Sequence, residues 1–229
     1  MRGLGIVIFI LGGFLILFLG EESLLLADEE IAIENQGEIF GTITFKGTPP
    51  EIEPHEVLRN PEFCGTTVKD ETYLVNSVNK GLKNAVVSIE GIDFGKKRGA
   101  TTLILENRDC YFNPHVFTAV VGDSYEVRNA DPILHNTHLT QNGARLLNIV
   151  MPPNGRNIKK TLTERGIIKV KCDAHTFMTA WLLVMNNLYF AITDKDGAYK
   201  ITDIPPGKYQ LKIWHEGLSA KKKRGRYFS

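Results

Sequence analysis

The chain has 229 residues, with 27 Lys and Arg against 26 Asp and Glu and a formal net charge of +1. Balanced charge argues against nucleic acid as a partner, and 43% hydrophobic residues describe an ordinary globular core rather than a disordered chain. Beyond an apolar N-terminal stretch about 200 residues remain, room for one large or two small domains.

Residues 4–20 form an uncharged, strongly apolar run, preceded by Arg2 and followed by Glu21 and Glu22. By the positive-inside tendency the N-terminus stays cytoplasmic and the rest faces outward. The run lies between a signal-peptide core of about 7–15 residues and a spanning helix of about 20. Residues 1–35 are therefore expected to be a signal peptide or a membrane anchor. Leu25-Leu-Ala27 ahead of Asp28 is a mediocre cleavage site, which favours a retained hydrophobic helix. Either way the body is exported, to the periplasm or another extracytoplasmic space, and residues 4–20, where retained, would tether it to the inner membrane.

Short alternating apolar runs follow, with no sustained helical period. Gly37 to Phe45 reads as a strand, and Lys46-Gly-Thr-Pro-Pro50 breaks it. Residues 50–68 are the least regular part. Strands are expected at Asn84 to Ile89, Thr101 to Leu105, Phe117 to Val121, Ser124 to Arg128 and Ile167 to Lys171. Ala180 to Met185 is nearly all apolar, as a strand buried on both faces should be. Asp196-Gly197 marks a hairpin turn and Pro205-Pro206-Gly207 a further tight turn, after which Tyr209, Leu211 and Ile213 alternate onto one face. Strands at this spacing make a sandwich or barrel. The basic run Lys221-Lys-Lys-Arg-Gly-Arg226 is a solvated end, or a contact for anionic lipid or an acidic partner.

One segment carries chemistry: Cys172-Asp-Ala-His175-Thr-Phe-Met178. Thiolate, imidazole and thioether in one tight loop are the ligand set that suits copper. His135, within Asn129-Ala-Asp-Pro-Ile-Leu-His135-Asn-Thr-His138, offers a second imidazole. Together they read as a type 1 (blue) copper site. A zinc site using His138 with His135, Cys172 and His175 is the competing arrangement. It wastes Met178, and residues three apart on a strand point to opposite faces. Export also gives the cysteines meaning, since two of three thiols should pair in an oxidising space. With Cys172 employed, Cys64 and Cys110 are the expected disulfide. His55, His115 and His215 are isolated and receive no ligand role. Trp181 and Trp214 are read as packing, and Asp194 and Asp196 as shaping their turn.

Residues 100–187 resemble a complete cupredoxin. The resemblance rests on Phe112-Asn-Pro114, Gly122-Asp123, Val127-Arg-Asn129, His135-Asn136 and Cys172…His175. Within that family the chain is similar to the amicyanins, which share the H-N-x-H stretch and the C-x2-H-x2-M loop; Thr176 stands where the family often has proline. The motif Thr193-Asp-Lys-Asp-Gly-Ala-Tyr-Lys-Ile201…Pro205-Pro-Gly-Lys-Tyr209 resembles carboxypeptidase regulatory-like domains, which are small transthyretin-like sandwiches. The first half of such a domain is similar to residues 41–47 and 82–89.

The combination implies an all-β protein, a cupredoxin Greek-key β-sandwich inserted in or packed on a second small β-sandwich and preceded by an N-terminal hydrophobic helix. The expected boundaries are 1–35 for the signal or anchor, 36–99 with 188–218 for the split regulatory-like sandwich, 100–187 for the cupredoxin and 219–229 for the basic tail. It further implies that His135, Cys172, His175 and Met178 bind copper, and that Asn136 ties the His135 strand to the cysteine loop. Electrons would pass between redox protein partners through an exposed edge of His175. No H-x-H pair, nucleophile elbow or P-loop is present, so catalysis is not expected. The alternatives are an exported scaffold protein, or a zinc- or copper-binding protein without electron transfer.

Overall fold

The computed structural model describes residues 36–92 and 95–219. The expected N-terminal hydrophobic helix and the basic run 221–226 lie outside the described residues. Among the described residues no helix is long and apolar enough to cross a membrane. In chain order the first elements are β1 (Gly37–Thr42), β2 (His55–Glu56), α1 (Pro61–Cys64), β3 (Thr67–Val68), β4 (Val86–Glu90) and β5 (Thr102–Arg108). Then come β6 (Tyr111–Asn113), β7 (Val116–Val120), β8 (Ser124–Asn129), β9 (His135–Gln141), β10 (Ala144–Met151) and β11 (Ile158–Thr161). The described residues close with β12 (Gly166–Lys171), β13 (Thr179–Met185), β14 (Phe190–Ile192), β15 (Ala198–Ile204), β16 (Gln210–Trp214) and α2 (Glu216–Ser219).

Strands β5 to β13 build one sandwich. Its larger sheet has the order β10-β9-β12-β13-β7, and its smaller sheet β11-β8-β5-β6. Side chains that alternate inward along the strands fill the space between. Leu105, Phe112, Val127, Leu139, Ile168 and Leu182 are each at most 2% exposed there. β13 is buried on both faces: Ala180, Leu182 and Val184 join this core, while Leu183, Trp181 and Met185 face the other way. β9 gives no apolar signal because the residues it buries first are His135, Asn136 and Thr137. It turns into β10 through Asn142 and Gly143, both at positive φ (51° and 82°), the pairing that suits a tight hairpin.

The second sandwich is assembled from both ends of the chain. β1 pairs with β15, and β4 lies between β14 and β16. Every named strand partner of β1 and β4 thus comes after residue 189. Val87, Ile89, Ile92, Tyr189, Ile201 and Ile204 form its core. At the hairpin before β15, Asp194 Oδ1 accepts N–H bonds from Asp196 (2.8 Å) and Ala198 (2.9 Å). Gly197 follows at φ 75°, and a Cβ there would sit 2.3 Å from the Ile43 carbonyl oxygen, so only glycine fits. Leu211 and Ile213 do share a face with Val87 and Ile89 across the register, yet stay 40% and 46% exposed. β16 is an edge strand, and its rim is not covered.

A third apolar cluster welds the two sandwiches: Val86, Val116 and Leu183 are buried, with Trp181, Met185, Ile192 and Trp214 packed around them. The indoles of Trp181 and Trp214 meet edge to face at 5.5 Å. Beside them, one carboxylate oxygen of Glu216 bonds His115 Nε2, and the other accepts Trp181 Nε1–H at 2.8 Å. Glu71 Oε2 stands 3.3 Å from His115 Nδ1. Burial opposes a charge on His115, but the bonds and charges of Glu216 and Glu71 prevail and raise its pKa to about 9.

A histidine charged in the fold, but titrating near 6.5 when unfolded, stabilises fully below that pH. Its contribution disappears as pH rises through about 9. Lys169 and His215 bear on the same carboxylate, so the comparison of variants isolates His115. We expect the urea midpoint to fall between pH 7 and pH 10, and His115→Gln to flatten that fall. The difference should be on the order of 3 kcal/mol at most. An identical pH profile in the two proteins would remove His115 as its cause.

Candidate metal centre

The loop between β12 and β13 and the first residue of β9 supply the site. β12 runs antiparallel to β9, with Lys171 opposite His138 and Val170 opposite Leu139, so the end of β12 delivers Cys172 beside the start of β9. The loop closes on itself: Cys172 N–H donates to Met178 O at 3.2 Å, and Met178 N–H to His175 O at 2.9 Å. Two further N–H groups, of Asn136 and His175, point at Cys172 Sγ from 3.3 Å each. Asn136 extends the brace. Its Oδ1 accepts Asp173 N–H at 2.9 Å, and its Nδ2 reaches Asn148 Oδ1 and, at 3.1 Å, Ile149 O on β10.

Both imidazoles turn Nδ1 toward the sulfur. Cys172 Sγ lies 4.0 Å from His135 Nδ1 and 3.7 Å from His175 Nδ1. One donor atom from each of His135, Cys172 and His175 falls within 4.8 Å of the others, and all three residues are buried. Met178, 1% exposed, packs in the same core cluster as Cys172. His138 does not join them: it is on the outer side of β9, where its Nδ1 pairs with Asp173 Oδ1 at 3.1 Å.

The opposite ring nitrogens have partners that fix the tautomers. His135 Nε2 is 2.8 Å from Asp131 Oδ2, a carboxylate that can only accept, so Nε2 carries the proton and Nδ1 keeps its lone pair. His175 Nε2 is 3.3 Å from Asn60 Oδ1. Burial holds both rings neutral. It lowers the pKa of His135 against the pull of Asp131, and lowers that of His175 to about 4, helped by the repulsion that two charged rings would meet and by the charge of Arg59. Burial also pushes the Cys172 thiol up, against the N–H groups of Asn136, His175 and Ala174. Two neutral imidazoles and a buried sulfur that resists ionising by itself form a pocket that a cation would complete.

Asp131 and Asn60 have no place in the expectations drawn from the sequence. Asp131 is 4% exposed, and it also accepts N–H bonds from Asp109 (2.7 Å) and Cys110 (3.0 Å). Its position four residues before His135, in a Pro-containing turn, was the available signal. Cys110, Asp131 and His135 also cluster within 4.8 Å, but Cys110 is bonded to Cys64 and its sulfur is no longer a donor of charge. That disulfide fastens α1 to the β5–β6 turn. The expected exposed edge of His175 is corrected by the structure. The residue is 1% exposed, because residues 56–60 lie over the loop and Asn60 occupies the ring's outer nitrogen.

No protein-family model matches the chain, and no curated protein does. Solved structures similar to it include amicyanin from Paracoccus versutus, with 14% identity over 43% of this chain and 97% of that one (TM-score 0.34). A purple cupredoxin from Nitrosopumilus maritimus is 21% identical over 37% of this chain and 99% of that chain (TM-score 0.32). A copper-containing nitrite reductase from Thermus scotoductus is 18% identical over 50% of this chain and 25% of that chain (TM-score 0.34). The chemistry of the site rests on the residues of this chain.

Removing the Asp131 carboxylate leaves the buried Cys110 N–H, the Asp109 N–H and the His135 ring without their acceptor. Asp131→Ala should destabilise the metal-free protein by about 2–4 kcal/mol in urea unfolding. A change under about 0.5 kcal/mol would show that water replaces the carboxylate without loss.

Proposed function

We propose that the chain is an exported type 1 (blue) copper protein that carries single electrons between redox protein partners, with His135, Cys172, His175 and Met178 as the copper ligands. The observation that carries this reading is the convergence of two imidazole Nδ1 lone pairs on one buried cysteine sulfur, with a methionine three residues beyond the second histidine. Soft sulfur with imidazole suits copper, whereas zinc seldom takes a thioether, and His138 stands apart from the trio. Bound copper would supply a one-electron couple.

The chain's own groups do the rest. The N–H groups of Asn136 and His175 draw charge density from the sulfur. Asp131 orients His135, and Asn136 holds β9, β10 and the cysteine loop in one arrangement, so the ligands need not move when the charge changes. Four ligands packed in a core leave no open position for a substrate, which favours a carrier over an enzyme. The sandwich formed by residues 36–99 and 188–218 is read as regulatory-like, carrying the cupredoxin of residues 100–187 as an insertion. Residues 4–20 would hold the protein at the inner membrane, facing the periplasm.

Absorption and EPR spectra of the purified chain loaded with Cu(II) test the assignment. We expect an intense thiolate-to-copper band and narrow copper hyperfine splitting, both abolished by Cys172→Ala. A colourless protein that takes up zinc in preference to copper would overturn it.

A further inference from the structure

The strap between β2 and β3 reaches the metal centre from outside the sandwich that builds it. It brings Asn60 against the ring of His175, and the hydrogen bonds of that residue define how it sits. Asn60 sits at φ 55°, ψ 44° immediately before α1, a left-handed conformation that asparagine tolerates better than most residues. Its carbonyl oxygen accepts N–H bonds from Phe63 (3.0 Å) and Cys64 (2.9 Å), and Cys64 is bonded to Cys110. The side chain makes no capping bond to α1. Instead Asn60 Nδ2 donates to Glu62 Oε1 at 3.1 Å. A carboxylate can only accept, so the amide cannot be turned round, and Oδ1 is the atom left facing His175 Nε2 at 3.3 Å. Glu62 thereby orients Asn60, and Asn60 takes the ring proton on Nε2. The lone pair of His175 Nδ1 is then directed at Cys172.

We propose that Asn60 is a positioning residue for the metal centre, fixing the tautomer of His175 and closing its ring edge to solvent from a strap tethered by the Cys64–Cys110 disulfide. The first histidine has its acceptor inside the sandwich, in Asp131; the second has its acceptor only from the strap. Glu56, Leu58 and Arg59 line a groove of about 160 Å³ with Ala174, His175 and Phe177, so this segment lies over the cysteine loop and leaves a narrow cleft beside the bond. A partner approaching this end of the molecule meets the strap, with Leu58 84% exposed, before it meets the ring. Asn60 acts on the site that the copper reading assigns, and its effect on a bound metal depends on that reading. Its effect on the metal-free ring does not.

Glycine adopts the Asn60 backbone conformation freely, so Asn60→Gly removes the amide without straining the turn. Asn60→Asp keeps an acceptor in place. In the metal-free full-length chain, imidazole ¹H–¹⁵N correlation spectra should show His175 as the Nε2–H tautomer in the native protein and in Asn60→Asp. They should show a mixture in Asn60→Gly. Carbethoxylation by diethylpyrocarbonate, followed by peptide mass analysis, should be slow at His175 relative to His138, whose side chain is 25% exposed, in the native protein. Asn60→Gly should raise it about tenfold or more at His175 and leave His138 unchanged. In the copper-loaded chain, Asn60→Gly should weaken metal affinity by about 10–100-fold. Equal His175 tautomers and equal carbethoxylation rates in native protein and Asn60→Gly would overturn the proposal. A native protein without a blue band would instead overturn the copper assignment, and the metal-free comparison would still decide the role of Asn60.

Discussion

The buried carboxylate of Asp131 holds three donors at once: the ring of His135 and the main-chain N–H groups of Asp109 and Cys110. A charge so placed is tolerable only if its acceptors are used, and each use here joins a different part of the molecule. Through His135 it bears on the sulfur of Cys172, and through Cys110 on the disulfide. Asn129 supports the turn that presents it, accepting Asp131 N–H at 3.1 Å and donating to Ile133 O and Met151 O at 2.9 and 2.8 Å. The β8–β9 turn, the β5–β6 turn and the end of β10 are therefore positioned together.

From that anchor the bonding runs in two directions. Inward, Cys172 Sγ receives N–H groups from β9 and from its own loop, so its place depends on the register of β9 against β12. Outward, the disulfide carries the strap that supplies Asn60. Each imidazole is thus held between the sulfur on one side and an oxygen acceptor on the other. One acceptor is native to the sandwich and one is brought to it. Such pairing removes the choice of tautomer from solvent and gives it to the fold.

Much of this was legible in the chain itself. The C-x2-H-x2-M loop could be read because three donors lie in one segment, and their mutual placement needs only a tight turn. β13 could be read because an unbroken apolar run has few ways to be buried. β9 was legible only through the family resemblance, since it buries histidine, asparagine and threonine, and polar residues leave no hydrophobic period to detect. The covering of His175 was illegible for another reason. Asn60 is 115 positions away, in the least regular stretch of the chain, and the family resemblance that promised an exposed ring ends well short of it. The same limit applies to His115, which looks isolated in sequence but meets Glu216 across 101 positions.

The way β1 and β4 find their partners has a consequence for synthesis. Both strands are made before β5 to β13, and β14, β15 and β16, with which they pair, only after them. In the interval the intervening strands can form a complete two-sheet body from contacts among themselves. The early strands must stay unpaired through that time, with backbone edges and apolar faces open to any other chain nearby. Vectorial emergence therefore sets an order of assembly, inner body first and outer body last, and the welding cluster around Trp181 and Trp214 is the final joint to close.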